Sequence, residues 1–197
     1  MNAMKQKYIL VMLSFTIGLF AFRPDVKNQL NFTTSKGHLI KVVKGQILYD
    51  NRVVFKLKHD DVLFESKSNR IVEDHGAVFL FIAFNGAPNV DRLNTFLVTS
   101  AKATLVADVV ISPIKDYDND GFLEFGGRDL TEHHPSPDSM YYVPSDYYEI
   151  RNGKVSLDNS LIRTEDIKAN GLYLSPNKRL DKRGFCCKVI PKPRNKH

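Results

Sequence analysis

A chain of 197 residues, 43% of them hydrophobic, can bury one ordinary core but not two comfortable ones. Its formal net charge of +6 is unevenly placed: residues 176–197 hold eight Lys or Arg and a single Asp, while residues 22–175 carry 18 basic and 21 acidic side chains. The positive charge therefore belongs to a terminal segment, whose last stretch, Lys188–His197, interleaves no aromatic residues, and nucleic acid is set aside as a partner.

In chain order, the first feature is an uncharged apolar run from Tyr8 to Phe22, preceded by Lys5 and Lys7 and followed by Arg23, Pro24 and Asp25. It is shorter than the roughly 20 residues of a bilayer span and has the basic and apolar regions of a secretory signal peptide, assigned to residues 1–21. The cleavage pattern ending at Ala21 is poor because Leu19 is bulky, so an uncleaved anchor is the alternative and the only route to a membrane. No Cys follows the run, which leaves a lipid anchor nothing to attach to. The reading is an exported protein, secreted or held in the periplasm or cell envelope.

From His38 onward, short segments rich in Val, Ile, Leu, Phe and Tyr are broken by Lys44-Gly45 and Asp50-Asn51, as expected of strands joined by tight turns. Ala77–Phe84 (AVFLFIAF) is a continuous apolar run, expected to be a strand buried on both faces. The segments NTFLVTS and ATLVADVVIS follow, and Tyr147–Leu157 places Asn152-Gly153 between two alternating arms, a strong hairpin signal. Helical patterning is confined to a turn within Asn89–Leu97 and a short helix from Thr164, its cap, to Asn170-Gly171. The fold class is mainly β: an antiparallel meander of about eight strands, forming a β-sandwich or an incomplete propeller-like sheet, with one or two short helices. Residues 22–175 read as a single β-rich domain and residues 176–197 as a basic, Pro-containing C-terminal tail exposed to solvent.

The segment KDYDNDGFLEFGG, Lys115–Gly127, carries Asp116, Asp118, Asp120 and Glu124 within nine residues, with Gly121 at a sharp turn. Four carboxylates brought together repel one another unless a cation neutralises them, and alternate residues of a tight loop direct their oxygens at one centre. Asp116, Asp118, Asp120, Glu124 and the carbonyl of Phe122 are the candidate ligands, with the Phe122 ring entering the core. All-oxygen ligands suit Ca2+ better than Mg2+, which keeps its waters and demands stricter geometry. A solvated polar turn is the competing reading, because Asp, Asn and Gly favour turns for backbone reasons alone.

Asp116, Asp118, Asp120, Gly121 and Glu124, followed by the apolar FLEFGG, resemble the calcium loops of FG-GAP and VCBS-type repeats of secreted β-propeller proteins. The resemblance implies a structural calcium ion set before a strand. An EF-hand would need a bidentate Glu at the twelfth loop position, where this chain has Gly127.

Beyond the loop, Glu132, His133, His134 and Asp138 sit among Pro135 and Pro137 in a segment that reads as a polar loop. Tyr141, Tyr142, Tyr147 and Tyr148 either pack half-buried or offer rings to a sugar or peptide. No nucleophile elbow, phosphate loop or H-E-x-x-H motif is present. Adjacent Cys186 and Cys187 lie closer than the usual disulfide range if their peptide is trans, which favours free thiols or a bridge to another chain. The functional expectation is an exported, non-enzymatic calcium-binding β-domain that recognises a protein or glycan partner at the envelope. The alternative is a small secreted metal-assisted hydrolase or lyase using Glu132, His133 and His134.

Overall fold

A computed structural model of the chain describes residues 28–58, 60–129, 135–181, 184 and 186–193. The signal segment 1–21 and the trio Glu132, His133 and His134 lie outside the described residues. Among the described residues no helix is long and apolar enough to cross a membrane.

The chain is mainly β and antiparallel, and its first two sheets are meanders in chain order. Strands β1 (Gln29–Thr33), β2 (Leu39–Val43), β3 (Gln46–Tyr49) and β4 (Arg52–Lys56) make the first sheet. The second comprises β5 (Arg70–Asp74), β6 (Ala77–Phe84), β7 (Arg92–Val98) and β8 (Ala103–Val110). Two-residue turns at Lys44-Gly45, Asp50-Asn51 and His75-Gly76 connect three of these pairings, with both residues of each turn at positive φ between 45° and 80°. That backbone matches the right-handed twist of the flanking strands, which is why Gly and Asn recur there.

The second sheet forms the middle layer of a stack. Leu80 and Ile82 of β6 pack with Ile40, Val42, Ile47 and Tyr49 of the first sheet. Phe79 and Phe81, on the opposite face of β6, pack with Phe125 and Ile150 of a third sheet. The expectation of a strand buried on both faces is met, and complete burial of each such side chain contributes about 1.5–3 kcal/mol. A bulge in the β7–β8 ladder leaves Val106 without a cross-strand partner, so Ala103 points into the first core while Ala107 and Val109 point into the second.

The third sheet has the order β12-β11-β9, with β9 at Leu123–Arg128, β11 at Ser145–Arg151 and β12 at Lys154–Leu157. The Asn152-Gly153 turn joins β11 to β12 as the sequence predicts. Helix α1 (Asn159–Asn170) then packs back on β11. Its cap is Asp158, whose carboxylate accepts the Ser160 and Leu161 amides at 2.9 Å each, so Thr164 stands inside the helix instead of opening it. Gly171, at φ 74°, closes the helix as anticipated. The turn sought within Asn89–Leu97 is only a tight bend, Asn89 N–H to Gly86 O at 2.7 Å, before β7 begins.

The C-terminal segment is not solvated throughout. Strand β13 (Val189–Pro191) pairs with β10 (Ser139–Tyr141), and Ile190 is buried. Arg179 reaches inward to Asp166 of α1, a fully buried carboxylate that also accepts from the Tyr142 hydroxyl and from the Ser145 amide at 2.7 Å. Burial, with Asp166 beside it, pushes the Tyr142 hydroxyl up to about 12. Cys186 and Cys187 form a disulfide with each other, contrary to expectation. The peptide between them is cis and their Cα atoms lie 3.0 Å apart, so the usual Cα range of disulfides does not govern this adjacent pair.

Candidate metal centre

The acidic loop is pinched shut at its base. Lys115 and Glu124 exchange backbone hydrogen bonds, Lys115 N–H to Glu124 O at 3.1 Å and Glu124 N–H to Lys115 O at 2.9 Å. Between them the chain curls around Asp116, whose Oδ1 accepts the Asn119 and Asp120 amides and whose Oδ2 accepts the Gly121 amide at 3.0 Å. Asp120 Oδ1 accepts the Phe122 amide at 3.0 Å. Asn119 at φ 65° and Gly121 at φ 92° supply the left-handed bends that so short a loop requires.

This curl gathers the four predicted carboxylates. One oxygen each from Asp116, Asp118, Asp120 and Glu124 lies within 4.8 Å of all the others. Ligands at about 2.3–2.6 Å from an ion stand roughly 5 Å apart when they face each other across it, so the group can hold a metal ion. Phe122 departs from expectation: its ring is half-buried beneath the Arg151 guanidinium, 4.3 Å from the ring centre, and takes no part in either core.

Glu124 differs from the three aspartates in burial. It is fully buried; its Oε2 accepts the Tyr117 amide at 2.6 Å, and its Oε1 has no hydrogen-bond partner. Two other buried side-chain atoms among the described residues share that state, Asn94 Oδ1 and Thr95 Oγ1, but neither belongs to an ionisable group. Burial first, and then the charges of Asp118, Asp116 and Asp120, push the Glu124 carboxyl up to about 7 against the pull of the Tyr117 amide. Asp118 is also raised, by burial and by Asp120.

Strand β11 supports the loop with alternate residues of one face, as the two-residue period of a strand requires. Tyr147 meets the Tyr117 ring edge-on at 5.4 Å, and Arg151 covers Phe122. Between them Glu149 stands directly opposite Glu124 in the β9–β11 register. Tyr148 and Ile150, on the other face, enter the second core. Glu149 was not legible as a site residue because it meets the loop only through this long-range pairing; its single local cue is its place in the alternating YYEIR.

A cavity of about 480 Å³ beside Arg92, Asp129, Asp146 and the Cys186–Cys187 pair shares no lining residue with the loop. The loop gathers four carboxylates, one of them fully buried with an unpartnered oxygen, so the loop is the better candidate site. Comparison with family models, with curated proteins and with solved structures found no match to this chain.

Proposed function

We propose that this chain is an exported, calcium-stabilised β protein, in which one Ca2+ binds the Asp116, Asp118, Asp120 and Glu124 carboxylates and the Phe122 carbonyl. The observation that carries this reading is the unpartnered Oε1 of Glu124, fully buried beside three aspartates. An ionised carboxylate in that position is costly unless it is paired, and a divalent cation supplies the missing partner. Calcium is favoured over magnesium by the all-oxygen donor set and the short, adaptable loop. The signal-like N-terminal segment sends the protein to fluids where calcium is plentiful, so even a weak site of about 0.1–1 mM is filled.

The ion holds the fold and performs no chemistry, and the stacked sheets present surfaces to a protein or glycan partner at the envelope. The resemblance of the loop to FG-GAP and VCBS-type repeats belongs to this reading. Two features support it: the loop stands immediately before the first strand of a sheet, and successive meander sheets stack in chain order.

Calorimetric titration of the metal-free protein with CaCl2 and with MgCl2 tests the proposal. Calcium is expected to bind at one site with submillimolar to millimolar affinity and magnesium more weakly. An absence of calcium binding up to several millimolar overturns the reading.

A further inference from the structure

The geometry points to Glu149 of β11 as an additional ligand of the same cation, one that sets its selectivity for a large ion and ties the loop to the third sheet. This rests on the cation reading above and deepens it. Directly opposed residues of an antiparallel pair put their side chains on the same face, about 4.5–5.5 Å apart at Cβ, so Glu149 and Glu124 project together from β11 and β9. Like charges placed this way destabilise a sheet unless something lies between them.

As Glu149 is turned here its carboxylate stands outside the group of four mutually close oxygens, but after burial the charge of Asp120 is the chief influence that pushes it up. Its side chain is only 14% exposed, and water does little to dissipate the repulsion. Among the described residues the one cation near it is Arg151, whose Nη1 is 3.9 Å away and whose guanidinium is committed to the face of Phe122. That contact is too long for a hydrogen bond and leaves Glu149 among the carboxylates of Glu124, Asp120 and Asp158. The unpartnered Oε1 of Glu124 is the independent sign that a ligand belongs in the space these groups surround.

A sixth protein group changes the chemistry of the site. The loop alone offers four carboxylates and one carbonyl, and an ion that keeps several waters could still accept it. With Glu149 turned inward, protein oxygens fill most positions, which suits the six to eight ligands of Ca2+ and penalises Mg2+. The ion then bridges a local loop and a strand that the chain reaches only some 25 residues later.

Terbium luminescence, sensitised by Tyr117, tests this on the full chain, with Glu149→Ala removing the oxygens and Glu149→Gln keeping the volume but not the charge. Comparison of decay rates in H2O and D2O counts the waters on bound Tb3+, a quantity that a merely structural role would leave unchanged. The expected result is about one more water in Glu149→Ala, with calcium affinity about tenfold weaker in both variants and a smaller preference for Ca2+ over Mg2+. Should Glu149→Ala be too unstable to measure, the affinity and the Ca2+/Mg2+ preference of Glu149→Gln decide the matter. Unchanged hydration, affinity and preference, in a protein whose Asp116→Ala variant has lost binding, overturn the role of Glu149 and leave the cation site standing. Failure of the unaltered protein to bind Ca2+ or Tb3+ overturns both.

Discussion

Among the described residues two fully buried carboxylates stand under opposite conditions. Asp166 of α1 accepts from the Tyr142 hydroxyl, the Ser145 amide and the Arg179 guanidinium, so its charge is both hydrogen-bonded and paired. Glu124 of β9 has one amide partner, an unpartnered oxygen and three aspartates for neighbours. The protein supplies everything Asp166 needs and leaves one oxygen of Glu124 without a partner. Burial alone therefore does not mark a functional acid; burial combined with unmet bonding capacity does.

The largest effect that follows from this contrast concerns the satisfied acid. Asp166→Ala strands Arg179 and the Tyr142 hydroxyl and should cost about 3–5 kcal/mol in urea unfolding, equally with EDTA or with calcium. A loss that calcium restores would erase the distinction between the two sites.

Next comes pH. In EDTA, the Glu124 carboxyl titrates near 7 in the folded protein against an ordinary 4.5, so the folded state holds a proton that the unfolded chain has released. Stability from the neutral carboxyl is complete below about pH 4.5 and lost as pH rises through about 7, an effect of up to about 3 kcal/mol. Asp118 and Glu149 are raised and contribute with the same sign. Chemical denaturation at pH 5 and pH 8 should show a decline that Glu124→Gln reduces. The same titration predicts weaker calcium binding below pH 7, where protons compete for the site.

Calcium itself should stabilise the protein by about 2.7 kcal/mol at a hundred times its Kd, through binding to the folded state alone. Asp116→Ala or Asp120→Ala should abolish the rise in Tm, whereas Asp166→Ala, measured where it still folds, should keep it. The smallest effect is that of Tyr142→Phe, which removes one donor from Asp166 and should cost about 1–2 kcal/mol with no dependence on calcium.

How much could be read in advance followed the range of the interactions. Turns at Lys44-Gly45, Asp50-Asn51 and Asn152-Gly153 were legible because positive φ is a property of one or two residues. The apolar run of β6 announced burial on both faces without naming the two sheets that cover it. Thr164 was mistaken for a helix cap because capping residues look alike locally, and only the carboxylate of Asp158 reaches the free amides. The disulfide of Cys186 and Cys187 was not legible because the Cα range of ordinary disulfides does not apply to neighbouring residues. The C-terminal segment looked solvated by composition, yet β13 and Arg179 bind it to the body through pairings no local pattern encodes.

For the site, the amino-acid sequence by itself determined the loop: four carboxylates at fixed spacing and a glycine where the chain must bend, all within reach of one centre through local geometry. The tertiary structure decided that Glu124 is buried and short of a partner, and that Tyr147, Glu149 and Arg151 face the loop. Those facts depend on β9 pairing with β11 across a long intervening segment, and such a register is chosen by the packing of Phe125, Tyr148 and Ile150 in the second core.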